Sequence, residues 1–81
     1  MPAWVSSSTH HHVIDALIAA RTSAGMTQRD LAAKLRKPPS FVGKVESLER
    51  NLSVLEFLAW CRALGVAPAD LLPRLTAIPE I

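Results

Sequence analysis

The apolar residues of this chain recur at spacings of three and four in short stretches, and each stretch is bounded by a residue that opens or closes a helix. Sustained alternation of apolar and polar residues is absent and Gly is scarce, so a sheet is hard to build and an all-α fold is expected. Val13, Leu17, Ala20 and Ala24 mark one side of a helix from His11 to Ala24, with Gly25 following as its natural end. Ile14 and Ile18 add a second apolar row, wider than one core-facing stripe requires. Thr27 reads as the cap of a second helix, with Asp30 three positions on in a capping-box arrangement. Leu31, Ala32 and Leu35 face inward on it, and Arg36-Lys37 form a connector.

Pro39 forces Pro38 out of the α region and itself suits the first position of a helix, so the double proline starts a third helix. That helix runs to about Ser47 with Val42 and Val45 inward. After a loop from Leu48 to Leu52, Ser53 caps a fourth helix whose inner face is Val54, Phe57, Trp60, Cys61 and Leu64, and Gly65 ends it. Pro68 to Leu72 forms a short fifth helix. The expected organisation is a flexible arm over 1–10, one compact domain over 11–73, and an irregular tail over 74–81.

Several classes are excluded on composition. The chain is 49% apolar and 20% charged, which fits a compact protein rather than a disordered one. No apolar run approaches the roughly 20 residues needed to span a bilayer. The first nine residues lack the basic start and apolar core of a signal peptide, and Cys61 is alone, so a cytoplasmic home without disulfides is expected. His10, His11 and His12 are adjacent and cannot all face one ion, so no metal and no cofactor is expected. Cys61, Phe57 and Trp60 lie at core spacing, and no nucleophile–base pair or phosphate loop emerges, so no enzymatic activity is expected.

The net charge of +2 is modest but unevenly placed. Between Arg29 and Arg50, six cations face three acids, whereas acids slightly outnumber cations elsewhere. A basic middle is consistent with a polyanion partner, and equally with an idle solvated face; charge alone does not decide.

The stretch Arg21…Gly25-Met26-Thr27-Gln28-x-x-Leu31-Ala32…Leu35…Ser40-Phe41-Val42-x-Lys44-Val45-Glu46…Glu49-Arg50…Phe57…Ala63-Leu64-Gly65-Val66 resembles the phage repressor and Cro family, also called XRE-like. The resemblance covers about Ala16 to Leu72 and implies a compact five-helix, lambda-repressor-like DNA-binding domain containing a helix-turn-helix. It gives Gln28 a contact to the DNA backbone, in keeping with the free N–H groups of a first helical turn. Arg21 and Glu46 match a partly buried ion pair that ties the first helix to the end of the third. Ala32 lies where two helices cross steeply and a larger side chain would hold them apart.

The third helix is then the recognition helix. Pro38, Pro39 and Ser40 stand where long polar readers are usual; Ser40 can donate or accept, and a proline ring can touch a thymine methyl. Lys44 can donate to guanine or bind a phosphate, and the sequence does not choose between them. Gly43 lowers helix stability by roughly 1 kcal/mol relative to Ala, for a close backbone approach to DNA or as simple tolerance on an exposed face. Arg36, Lys37, Arg50 and Asn51 are further candidates for phosphate or minor-groove contact.

Arg36 and Leu48 occupy turn positions where the family commonly has glycine. The apolar surplus (Ile14, Ile18, Leu55, Leu58 among it) points to a homodimer on a palindromic operator, with Leu71, Leu72, Leu75 and Ile78 as the contact. A transcriptional repressor acting by promoter occupancy, without a small-molecule effector or a membrane, is the leading expectation. The alternative is a protein-interaction module on the same fold, such as an antitoxin-like subunit or a heteromeric co-regulator; Pro38-Pro39 and Leu48 favour it.

Overall fold

The computed structural model describes residues 7–76, with side chains from 10 to 75. The elements in order are α1 (Ser7–Ser23), α2 (Gln28–Lys34), α3 (Ser40–Glu46), α4 (Val54–Leu64) and α5 (Pro68–Thr76), with no strand among the described residues. α2 packs on α3 and on α4, while α1 packs on α3 and α5. Leu17, Leu31, Val42, Val45, Trp60 and Cys61 are fully buried between them. Their burial removes water from apolar surface contributed by α1 to α4, at roughly 25 cal/mol per Å².

Local chemistry explains each boundary. The Thr27 hydroxyl accepts from the Asp30 backbone N–H while the Asp30 carboxylate accepts from the Thr27 N–H, a complete capping box for α2. Ser53 and Glu56 make the same reciprocal pair at the start of α4. Gly25 and Gly65 end α1 and α4 at φ of 72° and 74°, where a Cβ would be strained. Pro39 caps α3 in the right-handed region at φ −54°, and the Phe41 N–H donates to the Pro38 carbonyl. The double proline therefore opens the helix, although its first regular residue is Ser40.

Several expectations need correcting. α1 begins at Ser7, so residues 7–10 belong to the helix and not to an arm; residues 1–6 lie outside the described ones. Leu17 and Ala20 are buried as expected, but Ile14 joins them in the core, and Ala24 lies past the end of α1 and is exposed. α5 runs through Pro73 to Thr76, beyond both the expected helix end at Leu72 and the expected tail start at residue 74. His12 Nε2 donates to the Arg74 carbonyl at 2.9 Å, tying that last turn to α1. Val54 is 75% exposed, because as the first residue of α4 it projects away from the core that Trp60, Cys61 and Leu64 enter.

Leu71 is 3% exposed and belongs to this chain's own core, so it is not free to serve as a dimer contact. Leu75 packs against the same core, and Ile78 lies outside the described residues. Leu72 remains outward.

The indole N–H of Trp60 is buried without a hydrogen-bond partner among the described residues. That omission costs about 1–3 kcal/mol. Burying 150–250 Å² of ring at about 25 cal/mol per Å² returns roughly 4–6 kcal/mol, so the ring stays inside. Phe41 meets it with ring centroids 6.0 Å apart, tilted by 51°.

Arg36 and Leu48, on either side of α3, take φ of 56° and 69°. This is the left-handed region that costs an L-residue roughly 1–2 kcal/mol. Leu48 is held there by packing on the core, but Arg36 is exposed and has no such compensation. Arg36→Gly should therefore raise unfolding stability by about 0.5–1 kcal/mol, net of glycine's greater entropy in the unfolded chain. Urea melts at neutral pH measure this.

Candidate nucleic-acid interface

α3 buries Phe41, Val42 and Val45, which leaves Ser40, Lys44 and Ser47 as an outward stripe at i, i+4 and i+7. Lys44 makes no side-chain ion pair among the described residues, so its charge is free on that stripe. Glu46 turns inward from the same helix. Glu49, past the C-terminal end of the stripe, accepts from the Ser47 hydroxyl at 2.6 Å.

The Glu46 carboxylate is the junction that fixes α3. Arg21 Nε donates to Oε2 at 2.7 Å and its terminal nitrogen to Oε1 at 3.1 Å, a two-pronged ion pair between α1 and α3. The side chains are only 12% and 6% exposed. Arg21 also donates to the Met26 carbonyl at 2.8 Å, and Gln28 Nε2 donates to Glu46 Oε1 at 2.8 Å. Gln28 is thus the first residue of α2, exposed, with one amide hydrogen already committed.

The other sequence-named residues divide. Pro39 and Ser40 are exposed at the start of α3, and Asn51 is exposed in the loop after it. Lys37 lies with its ammonium 5.4 Å from the Phe41 ring centroid, a cation–π contact that leaves the residue exposed. Arg36 instead lines a shallow groove with Leu58, Ala59 and Arg62, on the side of α2 that meets α4. The outward stripe of α3 does not include it.

Arg50 is engaged within the chain. It forms a two-pronged pair with Glu56 at 3.0 and 2.8 Å, donates to the Asn51 carbonyl, and sits 4.7 Å from the Phe41 ring centroid. These contacts give Arg50 a structural role, closing the loop between α3 and α4, while its side chain stays 41% exposed. Glu56 was not singled out from the sequence, although Ser53-x-x-Glu56 is the spacing of a capping box. Phe41, the ring both cations cover, was hidden because Val42 beside it already satisfied the core pattern.

The electrostatics follow the same contacts. The Arg50 guanidinium, together with the Ser53 backbone N–H, holds the Glu56 carboxyl well below its ordinary 4.5, at about 2, and Glu56 in turn raises Arg50. Hydrogen bonds from the Thr27 backbone and hydroxyl lower Asp30 in the same sense. Burial pushes the Cys61 thiol up, so it is a packed apolar group rather than a nucleophile. No group of three metal-ligating side chains occurs among the described residues, His10 to His12 included. No helix of the described residues is long and apolar enough to cross a membrane.

Since Glu56 has a depressed pKa when folded, its contribution is fully present above about 4.5 and is lost as the pH falls towards 2. Thermal melts across that window should show a steeper loss of stability for the wild-type chain than for Glu56→Gln. Identical slopes would contradict the pairing.

Comparison with known proteins agrees with this geometry. A helix-turn-helix family model matches residues 17–71. An XRE-family like protein from Pseudomonas syringae pv. tomato str. DC3000 is similar at 44% identity over 89% of this chain and 88% of its own, with a TM-score of 0.81. The wild-type restriction-modification controller protein C.Esp1396I is similar at 26% identity over 86% of this chain and 92% of its own, with a TM-score of 0.78. No curated protein matches the chain. With the matched region running from α1 into α5, the chain belongs to the XRE family of helix-turn-helix proteins, the DNA-binding transcription regulators.

Proposed function

We propose that the chain is a dimeric, sequence-specific repressor that acts by occupying a palindromic promoter site. The observation that carries this reading is the exposed stripe of Ser40, Lys44 and Ser47 along α3 and its C-cap, from which Glu46 is turned away to Arg21 and which Glu49 meets only at its C-terminal end. Ser40 and Lys44 are the base-edge readers, with Pro39 excluding or touching a thymine methyl. Gln28, Lys37 and Asn51 are the backbone contacts on either side. Arg36, in the groove beside α4, and Arg50, paired with Glu56, are not among these contacts.

A two-fold pairing is supported by apolar side chains that this chain leaves in water. Leu55 is 78% exposed and Leu72 is 46% exposed, on α4 and α5. A dimer covers such surface and sets two recognition helices one helical turn apart. The wild-type chain should run as a dimer in gel filtration with light scattering, and Leu72→Asp should run as a monomer. An unchanged dimer would move the contact off α5.

Selection from a random duplex library should return a palindrome. On that duplex, log affinity should fall linearly with log salt, and Lys44→Ala should reduce the slope by about 1 if the ammonium neutralises a phosphate. If it reads a base, the substitution should cost about 1–3 kcal/mol on the selected site and nothing on unrelated duplex. Weak binding indifferent to sequence would contradict repression and favour a protein-interaction module.

A further inference from the structure

The Gln28 side chain reaches from the first residue of α2 across to α3, and three observations fix it there. Its Nε2 donates to Glu46 Oε1 at 2.8 Å, the same oxygen that accepts from Arg21 at 3.1 Å. A carboxylate held by an arginine can only accept, so the amide nitrogen must face Glu46 and the orientation of the amide is determined. The carbonyl oxygen then lies over Gly43. A Cβ built at Gly43 would meet Gln28 Oε1 at 3.2 Å, closer than nine in ten Cβ contacts, and Cδ at an ordinary 3.8 Å, so the amide would have to give way by a few tenths of an ångström. Gly43 has an ordinary helical backbone with no positive φ, so the reason for glycine here is this space and not a special conformation.

Resting on the reading of the chain as a DNA binder, we propose that Glu46 and Gly43 are positioning residues for a phosphate contact made by Gln28. Nε2 carries two hydrogens, and Glu46 accepts one. The other is the donor for a DNA phosphate oxygen. A glutamine free in solvent would have to be ordered on binding; this one is ordered beforehand, which removes part of that cost. Arg21 neutralises Glu46, so the carboxylate can hold the amide without presenting an uncompensated negative charge beside the phosphate. Gly43 acts from the recognition helix without touching DNA, by keeping open the seat in which the amide lies.

Gly43→Ala separates this from a merely structural role. Alanine favours the helix, so the variant should melt at the wild-type temperature or above it. Its added methyl should unseat Gln28 and weaken duplex binding about tenfold, the size expected for one hydrogen bond to a charged group. Gln28→Ala should weaken binding by the same factor, and the double variant no further than either alone. Because Gln28 is neutral, the salt slope should not change.

In the free wild-type protein, the Gln28 side-chain amide should give two well-separated proton resonances, the one bonded to Glu46 shifted and exchange-protected, which Gly43→Ala should collapse towards the values of a solvated glutamine. Wild-type affinity in Gly43→Ala, or multiplying effects in the double variant, would overturn the proposal while leaving DNA binding intact. A wild-type chain with no affinity for duplex would remove the reading beneath it as well.

Discussion

The ion pair between Arg21 and Glu46 carries a constraint out of proportion to its size, since it joins the C-terminal part of α1 to the last residue of α3. Through the Met26 carbonyl and the Gln28 amide it also holds the turn before α2 and the first residue of that helix. Both side chains are largely buried, so neither could lose its partner cheaply: an uncompensated charge of that kind costs about 3–5 kcal/mol. A small domain has only roughly 5–15 kcal/mol of net stability, so the junction is a substantial share of it. The angle at which α3 leaves the core is thereby set by hydrogen-bond geometry, while Phe41, Val42 and Val45 set its depth.

What leaves the outer surface of α3 available is a division of labour among the charges. Glu46 is turned in to Arg21, Glu56 holds Arg50, and Asp30 closes the cap of α2, so three acids of the basic region and its flank are each consumed by a local contact. Lys44 has no such partner among the described residues. A near-neutral chain thus presents a cation on one helix face without carrying a large net charge. Phe41 contributes from beneath, burying one face against Trp60 while Lys37 and Arg50 lie near its ring.

Much of this was legible in the sequence, and the exceptions have a common cause. Caps and breakers act over three or four residues, so Thr27 with Asp30, Gly25, Gly65 and the prolines located the helix boundaries to within a few positions. The left-handed residues Arg36 and Leu48 were visible as bulky side chains in turns that ask for glycine. By contrast, the N-terminal extension of α1 and the persistence of α5 through Pro73 depend on packing between the two helices, which periodicity does not record. The same holds for Leu71, counted as apolar surplus in the sequence but part of the buried core once α5 packs on α1. The contacts of Arg50 and Gly43 were not legible for a related reason: the neighbour of each, Glu56 and Gln28, lies on a different element.

Repression by this chain requires α3 to be the element that enters a duplex groove. Titrating the isotope-labelled protein with its selected duplex and following backbone amide resonances tests that directly. The largest perturbations should fall on Ser40, Gly43, Lys44 and Ser47 and on Gln28 at the start of α2, with α5 responding little. Perturbations concentrated on α4 and α5, with α3 unmoved, would contradict it.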